Sequence, residues 1–236
     1  MTAYKRIAWA AVALVFFCGF LALGTWQLYR RAWKLDLIAR VEARVNAAPV
    51  LAPGPEEWSN ITAKSDEYLR VRASGTFLIQ SATAVRALTE LGAGYWILMP
   101  LRTPDGSIIM INRGFVAASD SSGIAQTKAT PGMQTITGLL RLSEPGGGFL
   151  RHNDPTADRW YSRDVQAIAK SRGLVAVAPY FIDADRASSP GTGVDSPVGG
   201  LTVIAFPNNH LLYAITWYTL ALMIPVFLGF SRRDEH

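Results

Sequence analysis

The stretch Asn208-Asn209-His210-Leu211-Leu212-Tyr213-Ala214-Ile215-Thr216-Trp217-Tyr218 opens a long apolar segment and places a histidine at its edge. Leu211–Ser231 carries no charge, and as a helix it would span roughly 30 Å, about the hydrocarbon core of a bilayer. A polar group at that depth costs free energy unless it has a partner. His210 is therefore the first residue that the sequence marks as a candidate for chemistry.

A second uncharged segment, Ile7–Tyr29, lies near the amino terminus with basic residues on both sides. Hydrophobic residues make up 50% of the chain, and their surplus is concentrated in these two segments. We predict transmembrane helices at 7–29 and 208–231 around a mainly-β extracytoplasmic domain at 49–207. A cleaved signal peptide is the alternative for the first helix, but the apolar stretch is longer than a usual signal core.

The first helix is predicted to continue past the membrane as a helical extension over residues 30–48. Apolar residues recur there every four positions until Pro49 stops the pattern: Trp33, Leu37, Val41 and Val45. The Pro- and Gly-containing stretch Leu51–Asn60 then indicates a linker.

The charges that flank the two helices favour cytoplasmic termini. Lys5-Arg6 and Arg232-Arg233 lie outside the spans at the chain ends. Basic residues next to a membrane span are enriched on the cytoplasmic side of the membrane. A basic cluster after the first span, Arg30, Arg31 and Lys34, argues the other way, but the rule weakens for long translocated domains. The start of the chain lacks an Arg-rich transit pattern. We therefore expect a bacterial plasma (inner) membrane protein with a periplasmic central domain.

The central region has the pattern of a β domain. Five segments have the features of strands: they alternate apolar and polar residues or are rich in apolar, β-branched and aromatic residues. They are Tyr68–Phe77, Tyr95–Leu101, Ile108–Val116, Gln134–Arg141 and Tyr180–Asp183. The turn Thr103-Pro104-Asp105-Gly106 predicts a hairpin between the second and third of these. One short helix fits Asp164–Arg172, with Gly173 beyond its end. The prediction is a mainly antiparallel, barrel- or sandwich-like soluble domain with a minor helix.

Several functional classes find no support. The net charge of +5 comes with basic residues clustered beside the membrane segments, which favours anionic lipid over nucleic acid. Gly146-Gly147-Gly148 lacks the Lys-Ser/Thr of a phosphate loop, and no Cys/His cluster suits zinc. His152-Asn153-Asp154 is a weak candidate for a nucleophilic triad, and the single cysteine, Cys18, fits membrane packing. We expect no enzyme.

His210 remains as the candidate ligand. If Asn208 or Asn209 caps the helix, one face carries the histidine together with Tyr213, Ala214, Trp217 and Ala221. The small alanines leave room and the aromatics offer flat apolar surface, so a haem with His210 as axial ligand of its iron is chemically sensible. An interfacial anchor histidine is the alternative.

The end of the first span carries side chains that would complete a haem site with His210. If the two helices pair, Trp26 and Gln27 lie at the depth of His210. Arg30, Arg31 or Lys34 would then pair with haem propionates. Anchoring in the lipid headgroups explains these aromatic and basic residues equally well.

Short motifs along nearly the whole chain resemble one known family. They are Gly24-x-Trp26-Gln27, Arg30-Arg31-x-Trp33-Lys34, Asn112-Arg113-Gly114, Gly147-Gly148-Phe149, Asn153-Asp154, Trp160-Tyr161 and the stretch Asn208–Tyr218. In this order, between two terminal spans, they resemble the Surfeit locus protein 1 family, assembly factors for haem–copper cytochrome c oxidase. Phe115 stands where the family commonly has Trp.

The resemblance implies a role in maturing subunit I of the oxidase. Bacterial members are thought to bind haem a, with the histidine at the start of the second span as iron ligand, which is His210 here. Subunit I, haem a synthase and membrane lipid are the partners that follow. The alternative hypothesis is a haem-free, membrane-anchored scaffold that stabilises oxidase assembly intermediates.

Overall fold

The computed structural model describes residues 3–118, 132–148, 150–186, 197–200 and 208–233. The chain divides into two compact units, one formed by Met1–Arg40 with Ile204–His236 and the other by Val41–Val203. The first unit contains two long apolar helices, and the second is a β domain that also includes the last residues of the first helix, from Val41 onward.

The three α-helices of the described residues are α1 (Ala3–Val45), α2 (Val165–Ser171) and α3 (His210–Arg233). By length and composition, α1 and α3 are each able to cross a bilayer. Most of their large apolar side chains are exposed, as lipid-facing side chains are. The helix α1 runs unbroken through the predicted extension and ends at Val45, four residues before Pro49.

The β domain is built on the strands β1 (Val50–Leu51), β2 (Arg70–Phe77), β3 (Thr83–Thr89), β4 (Gly92–Arg102), β5 (Ile108–Ala117), β6 (Gln134–Leu142) and β9 (Val177–Ala184). Two further short strands, β7 (Gly147–Gly148) and β8 (Arg151–His152), pair with each other. The main sheet has the order β1-β2-β6-β9-β5-β4-β3, and β2 also pairs with β4. That extra pairing closes β2, β6, β9, β5 and β4 into a barrel, with β1 and β3 outside the closed ring.

The predicted fold class is confirmed. The hairpin β4–β5 forms antiparallel pairs from Gly94↔Ala117 to Arg102↔Ile108, as the turn at Thr103 predicts. Most neighbouring strands are antiparallel, whereas β5–β9 and β1–β2 are parallel. The strand β3 has no counterpart among the predicted segments, because Arg86 and the flanking alanines weaken its strand pattern.

The core has two layers. The barrel interior is filled by apolar side chains of every closed strand, including Met99, Ile111 and Tyr180. A second cluster joins the outside of the barrel to α2, with Trp160 and Ile168 at its centre. The side chain of Asp164 caps α2 by accepting a hydrogen bond from the Ala167 N–H at 3.1 Å.

The stretch expected to be a linker is packed on the barrel. Trp58 lies in a single turn of 3-10 helix and contacts the interior cluster. The carbonyl oxygen of Pro53 accepts hydrogen bonds from the Trp58 indole N–H at 3.1 Å and the Tyr180 hydroxyl at 2.7 Å. The linker prediction is therefore wrong, because two aromatic donors give the Pro-containing backbone a fixed position.

Candidate functional site

His210 lies in the first turn of α3 and pairs with a side chain of α1. Its Nδ1 is 2.8 Å from Oε1 of Gln27, and both side chains are half-buried. An amide oxygen only accepts hydrogen bonds, so Nδ1 carries the proton and donates it. In the tautomer with its proton on Nδ1, the ring has a lone pair on Nε2, the second ring nitrogen.

The two helices are held together next to this pair by a second polar contact. The Thr25 hydroxyl donates to the Leu21 carbonyl oxygen at 2.9 Å, which uses its only hydrogen. The Tyr218 hydroxyl, 3.1 Å from Thr25 Oγ1, therefore donates to it. Hydrogen bonds of this kind between helices stabilise pairing in a medium that offers no water.

Small residues let the helices approach closely. A β-carbon at Gly24 would lie 2.8 Å from Cε1 of Tyr218, so only glycine leaves space for this ring. On α3, Ala214 and Ala221 are each 1% exposed. Phe20 and Trp217 stack with ring centroids 5.7 Å apart at an interplanar angle of 27°. This close packing positions the His210–Gln27 pair.

Three of the four remaining residues predicted for the site, Trp26, Tyr213 and Arg30, are exposed. Trp26 is 56% exposed and Tyr213 is 54% exposed. The guanidinium of Arg30 lies 4.4 Å from the ring centroid of Trp33, and Arg31 is half-buried. Of the predicted set, Gln27, Trp217 and His210 lie in the contact between the two helices, and the haem-binding roles of all the predicted residues stay predictions.

Gly24, Thr25 and Tyr218 were not among the predicted site residues. Gly24-Thr25 is a pair of small residues inside an apolar span, a pattern that is common where membrane helices meet. That signal was available in the sequence, but it does not indicate which ring the glycine accommodates.

The motif Asn112-Arg113-Gly114 serves the fold of the domain. The Asn112 amide donates to Oδ1 of Asp183 at 2.7 Å, and its Oδ1 accepts from the Gly114 N–H at 3.2 Å. Gly114 has φ +129°, and a β-carbon there would lie 2.4 Å from the Val198 backbone. The glycine is required by both its conformation and its close neighbour.

Asp183 is the centre of a buried ionic cluster. Its side chain is 5% exposed and accepts from Arg141 at 3.2 Å and Arg163 at 3.3 Å. Arg163 also donates to Glu144 at 2.6 Å. Burial by itself raises the pKa of Glu144, but the hydrogen bond and charge of Arg163 outweigh it, so this pKa lies below its usual value. Paired in this way, the cluster is architectural.

In the segment around His152, the polar side chains of Asn153 and Asp154 have partners within the same loop. The Asn153 side-chain oxygen accepts from the N–H groups of Tyr161 at 2.8 Å and Ser162 at 3.2 Å. Asp154 pairs with Arg159 at 2.7 Å. Both side chains are thus occupied in holding a loop. Among the described residues, no group of three or more His, Cys, Asp or Glu side chains could hold a metal ion.

Comparison with known proteins covers almost the whole chain. The SURF1 family model matches residues 14–222. Surfeit locus protein 1 of Rattus norvegicus is 35% identical over 217 residues, which cover 84% of this chain and 67% of the relative. The human protein of the same name is 34% identical over 218 residues, covering 84% and 69%. A SURF1-like protein of Monosiga brevicollis is 32% identical over 225 residues, covering 89% and 82%.

The matched region includes α1 from residue 14 onward, the whole of the β domain, and α3 as far as residue 222. The identity, the coverage and the order of motifs agree. The chain therefore belongs to the SURF1 family, a family of assembly factors, and this membership implies a role in the assembly of cytochrome c oxidase.

Proposed function

We propose that this chain binds haem a through Nε2 of His210 and delivers it to subunit I of cytochrome c oxidase. The observation that carries the proposal is the 2.8 Å hydrogen bond between His210 Nδ1 and Gln27 Oε1. Histidine ligands in metal sites nearly always donate their other ring N–H to an oxygen, which orients the ring and raises the basicity of the binding nitrogen. Gln27 supplies that oxygen here.

The donor set fits one axial bond to a haem iron. Imidazole is a common axial ligand of haem, and a single such bond suits a cargo that must be given up later. The exposed aromatic rings of Trp26 and Tyr213 offer flat apolar surface near the same helix ends. Arg30 and Arg31 carry the positive charge that haem propionates require.

The role of a carrier needs no turnover chemistry. It requires that a hydrophobic cofactor be kept out of water and transferred to a site that binds it more tightly. We therefore propose a non-enzymatic protein of the bacterial inner membrane with its β domain in the periplasm, working with subunit I and haem a synthase. The two apolar helices and the family support the membrane setting and the assembly role.

A haem-loading experiment tests the proposal. The full-length chain is produced together with haem a biosynthesis, purified, and its bound haem is measured by absorption spectrum and pigment extraction. His210→Ala should retain little haem, because the substitution removes the bond to the iron. It removes little apolar surface, so the chain should still insert into the membrane. His152→Ala, a change of an exposed histidine in the β domain, is the matched control and should retain haem as the unchanged chain does. Full haem content in His210→Ala would exclude His210 as the ligand.

The second candidate is a haem-free scaffold that holds oxidase assembly intermediates through the β domain. It is favoured by one observation: motifs shared with the family, such as Asn112-Arg113-Gly114, maintain the fold of that domain. A scaffold would keep its function when His210 is replaced, which distinguishes it from a carrier.

A further inference from the structure

The strand β3 lies at one edge of the main sheet, where β4 is its neighbour along its whole length on one side. In an antiparallel ladder, successive residues direct their backbone N–H and C=O groups alternately to the one side and to the other. The Arg86 N–H points away from β4, because it donates to the Trp160 carbonyl oxygen at 2.9 Å. The backbone groups of Leu88, two residues further along, therefore point to the same outer side.

Pairing on this outer side stops after one residue. Val85 and Trp160 form an isolated parallel bridge. To continue the bridge as a ladder, the Ser162 N–H would donate to the Arg86 carbonyl oxygen. The side-chain oxygen of Asn153 accepts the Ser162 N–H instead, at 3.2 Å. Beyond the bridge, the outer edge of β3 consequently has no backbone partner among the described residues.

Three backbone groups of this edge can pair with another chain. They are the carbonyl oxygen of Arg86 and both the N–H and the carbonyl oxygen of Leu88. An unpaired edge is a template for an added strand, which takes up such groups through main-chain hydrogen bonds. The Leu88 side chain is 84% exposed and offers apolar surface to a side chain of that strand.

An open cavity of about 410 Å³ lies beside the same edge. Its lining includes Arg86, Leu88, Tyr95, Arg151 and Tyr161. The guanidinium carbons of Arg86 and Arg151 lie 5.6 Å and 5.5 Å from the ring centroid of Tyr161. Because both cations contact one ring, they are at most about 11 Å apart.

The charge of these two arginines selects the chemistry of the partner. Elsewhere in the domain arginines pair with carboxylates, as Arg163 does with Glu144 at 2.6 Å. The side chains of Arg86 and Arg151 are exposed, and within the described ranges of the chain neither forms an ion pair. A chain that pairs with this edge is therefore favoured if it carries negative charge.

The spacing of side chains in an extended segment suits the two arginines. Residues at alternate positions of a strand point to the same face, about 7 Å apart. Carboxylates at two such positions would each form a charge-assisted hydrogen bond with one guanidinium group. A phosphate group would satisfy the cations but would leave the backbone groups of Leu88 without partners. The combination of open edge and paired cations thus favours a peptide.

We propose that the outer edge of β3 binds an acidic, extended segment of a partner protein as an added strand. Arg86 and Arg151 bind carboxylates at alternate positions of this segment, and Leu88 supplies main-chain hydrogen bonds. The site lies within the β domain and uses no residue of the proposed haem site, so failure of one proposal leaves the other intact.

A synthetic peptide tests the proposal on the full-length chain in micelles of an uncharged detergent. The probe is fluorescein-labelled Thr-Val-Glu-Val-Glu-Val-Thr, with its glutamates at alternate positions, and fluorescence anisotropy measures its binding. The control peptide has glutamine in place of both glutamates. We expect the control to bind about tenfold more weakly than the glutamate peptide, and the difference to shrink at high salt.

Substitution of Leu88 separates strand pairing from attraction between charges. Leu88→Pro removes the outward N–H and none of the hydrogen bonds to β4, and proline is tolerated on an edge strand at such a position. Leu88→Ala is the matched control, because it shortens the same side chain but keeps the N–H. We expect Leu88→Pro to bind the glutamate peptide about tenfold more weakly than Leu88→Ala does. Their unfolding temperatures should be equal.

Methylation of the peptide backbone gives the same comparison without any change to the protein. Alternate nitrogens of a strand point to opposite sides, so only one set faces β3. One peptide is methylated on the nitrogens of both glutamates, and the other on the nitrogens of the valines that follow them. One of the two should lose binding and the other should keep it.

Charge-matched variants identify the arginines responsible. Arg86→Gln with Arg151→Gln should weaken binding of the glutamate peptide about fivefold for each arginine removed. Arg72→Gln with Arg102→Gln removes the same charge from exposed positions elsewhere on the domain and should leave binding unchanged.

Several results would overturn the proposal. They are the absence of binding by the glutamate peptide, equal binding of the glutamine peptide, equal effects of the two methylated peptides, and equal affinity in the two pairs of arginine variants. Binding that is the same in Leu88→Pro and Leu88→Ala but is displaced by inorganic phosphate would assign the arginines to a phosphate ligand, such as a lipid headgroup, instead of a peptide.

Discussion

Gly24 and Tyr218 are in direct contact, because a β-carbon at position 24 would lie 2.8 Å from Cε1 of the tyrosine ring. The neighbouring residue, Thr25, accepts the hydrogen bond of the same tyrosine at 3.1 Å. One turn of α1 thus accommodates both the ring and the hydroxyl of Tyr218. This contact lies next to Gln27, so it controls how closely Gln27 approaches His210.

Gly24→Val should push α3 away from α1 and break the Gln27–His210 hydrogen bond. Overpacking of a tight contact destabilises it by about 1–3 kcal/mol. We expect lower haem content per chain and less disulfide cross-linking between cysteines placed at positions 20 and 217. The matched control is Gly19→Val, because nothing among the described residues lies within 4 Å of a β-carbon at Gly19. Equal behaviour of the two variants would show that the Gly24 contact does not position the pair.

Gln27→Leu should weaken haem binding while the protein still inserts. Without the amide oxygen, His210 loses the group that orients its ring, and loss of such a partner lowers metal affinity about 10–100-fold. Gln27→Glu keeps an acceptor for Nδ1–H and should retain haem, with a shifted iron–histidine stretching frequency. Haem titration and resonance Raman spectra of the two variants measure these effects. Identical affinity for Gln27→Leu and the unchanged chain would reject the orienting role.

Asp183→Ala should destabilise the β domain strongly. The substitution removes the carboxylate that pairs with Arg141 and Arg163, whose side chains are only 16% and 14% exposed. Removing one partner of a buried ion pair costs about 3–5 kcal/mol. Thermal unfolding of the full-length chain in detergent measures the loss. Glu56→Ala removes the same charge from an exposed position and should leave the unfolding temperature unchanged. A small effect of Asp183→Ala would mean that water or Glu144 replaces the lost carboxylate.

The β domain should lose stability in acid through Glu144 and Asp158. Burial raises the pKa of each, but Arg163 and Arg172, respectively, outweigh burial and bring the net pKa below the usual value. A carboxyl group with a lower pKa in the folded chain adds stability that is fully present above its unfolded pKa, about 4. That stability disappears as the pH falls through the folded pKa.

Unfolding temperatures between neutral pH and pH 3 test this dependence. Without the Arg163 cation, Glu144 should no longer make folding depend on pH, so the unfolding temperature of Arg163→Met should fall less steeply as the pH is lowered. A curve with the same slope in Arg163→Met and the unchanged chain would assign the acid sensitivity to other groups.

Loss of the gene should leave oxidase polypeptide in the membrane with less haem and lower activity. His210→Ala should restore activity poorly if the chain delivers haem, and well if the β domain acts as a scaffold. Haem content and oxidase activity of membranes from the deletion strain measure both outcomes, with His152→Ala as the control. Normal haem occupancy and activity in a deletion strain without a second homologue would contradict a role in assembly.

Local sequence patterns predicted where the strands lie better than they predicted which strands pair with each other. The strand predictions at Ile108–Val116 and Gln134–Arg141 match β5 and β6 to within one residue, because continuous β-branched and apolar residues specify a buried strand. The strand β3 was not predicted, because it lies at the edge of the sheet and carries Arg86 at an exposed position. Its formation depends on pairing with β4 and on the Arg86 N–H bond to the Trp160 carbonyl oxygen.

The sequence by itself determined the two apolar helices, the β class of the domain, the cap of α2 and His210 as the residue to suspect. These features depend on hydrophobic length, periodicity and capping, which are properties of neighbouring residues. Only the tertiary structure decided that Gln27 orients His210, that β2 pairs with β4 to close the barrel, and that Asp183 joins Arg141 and Arg163. Each of these contacts joins residues far apart in the chain, and its energy depends on distance and burial that no local pattern contains.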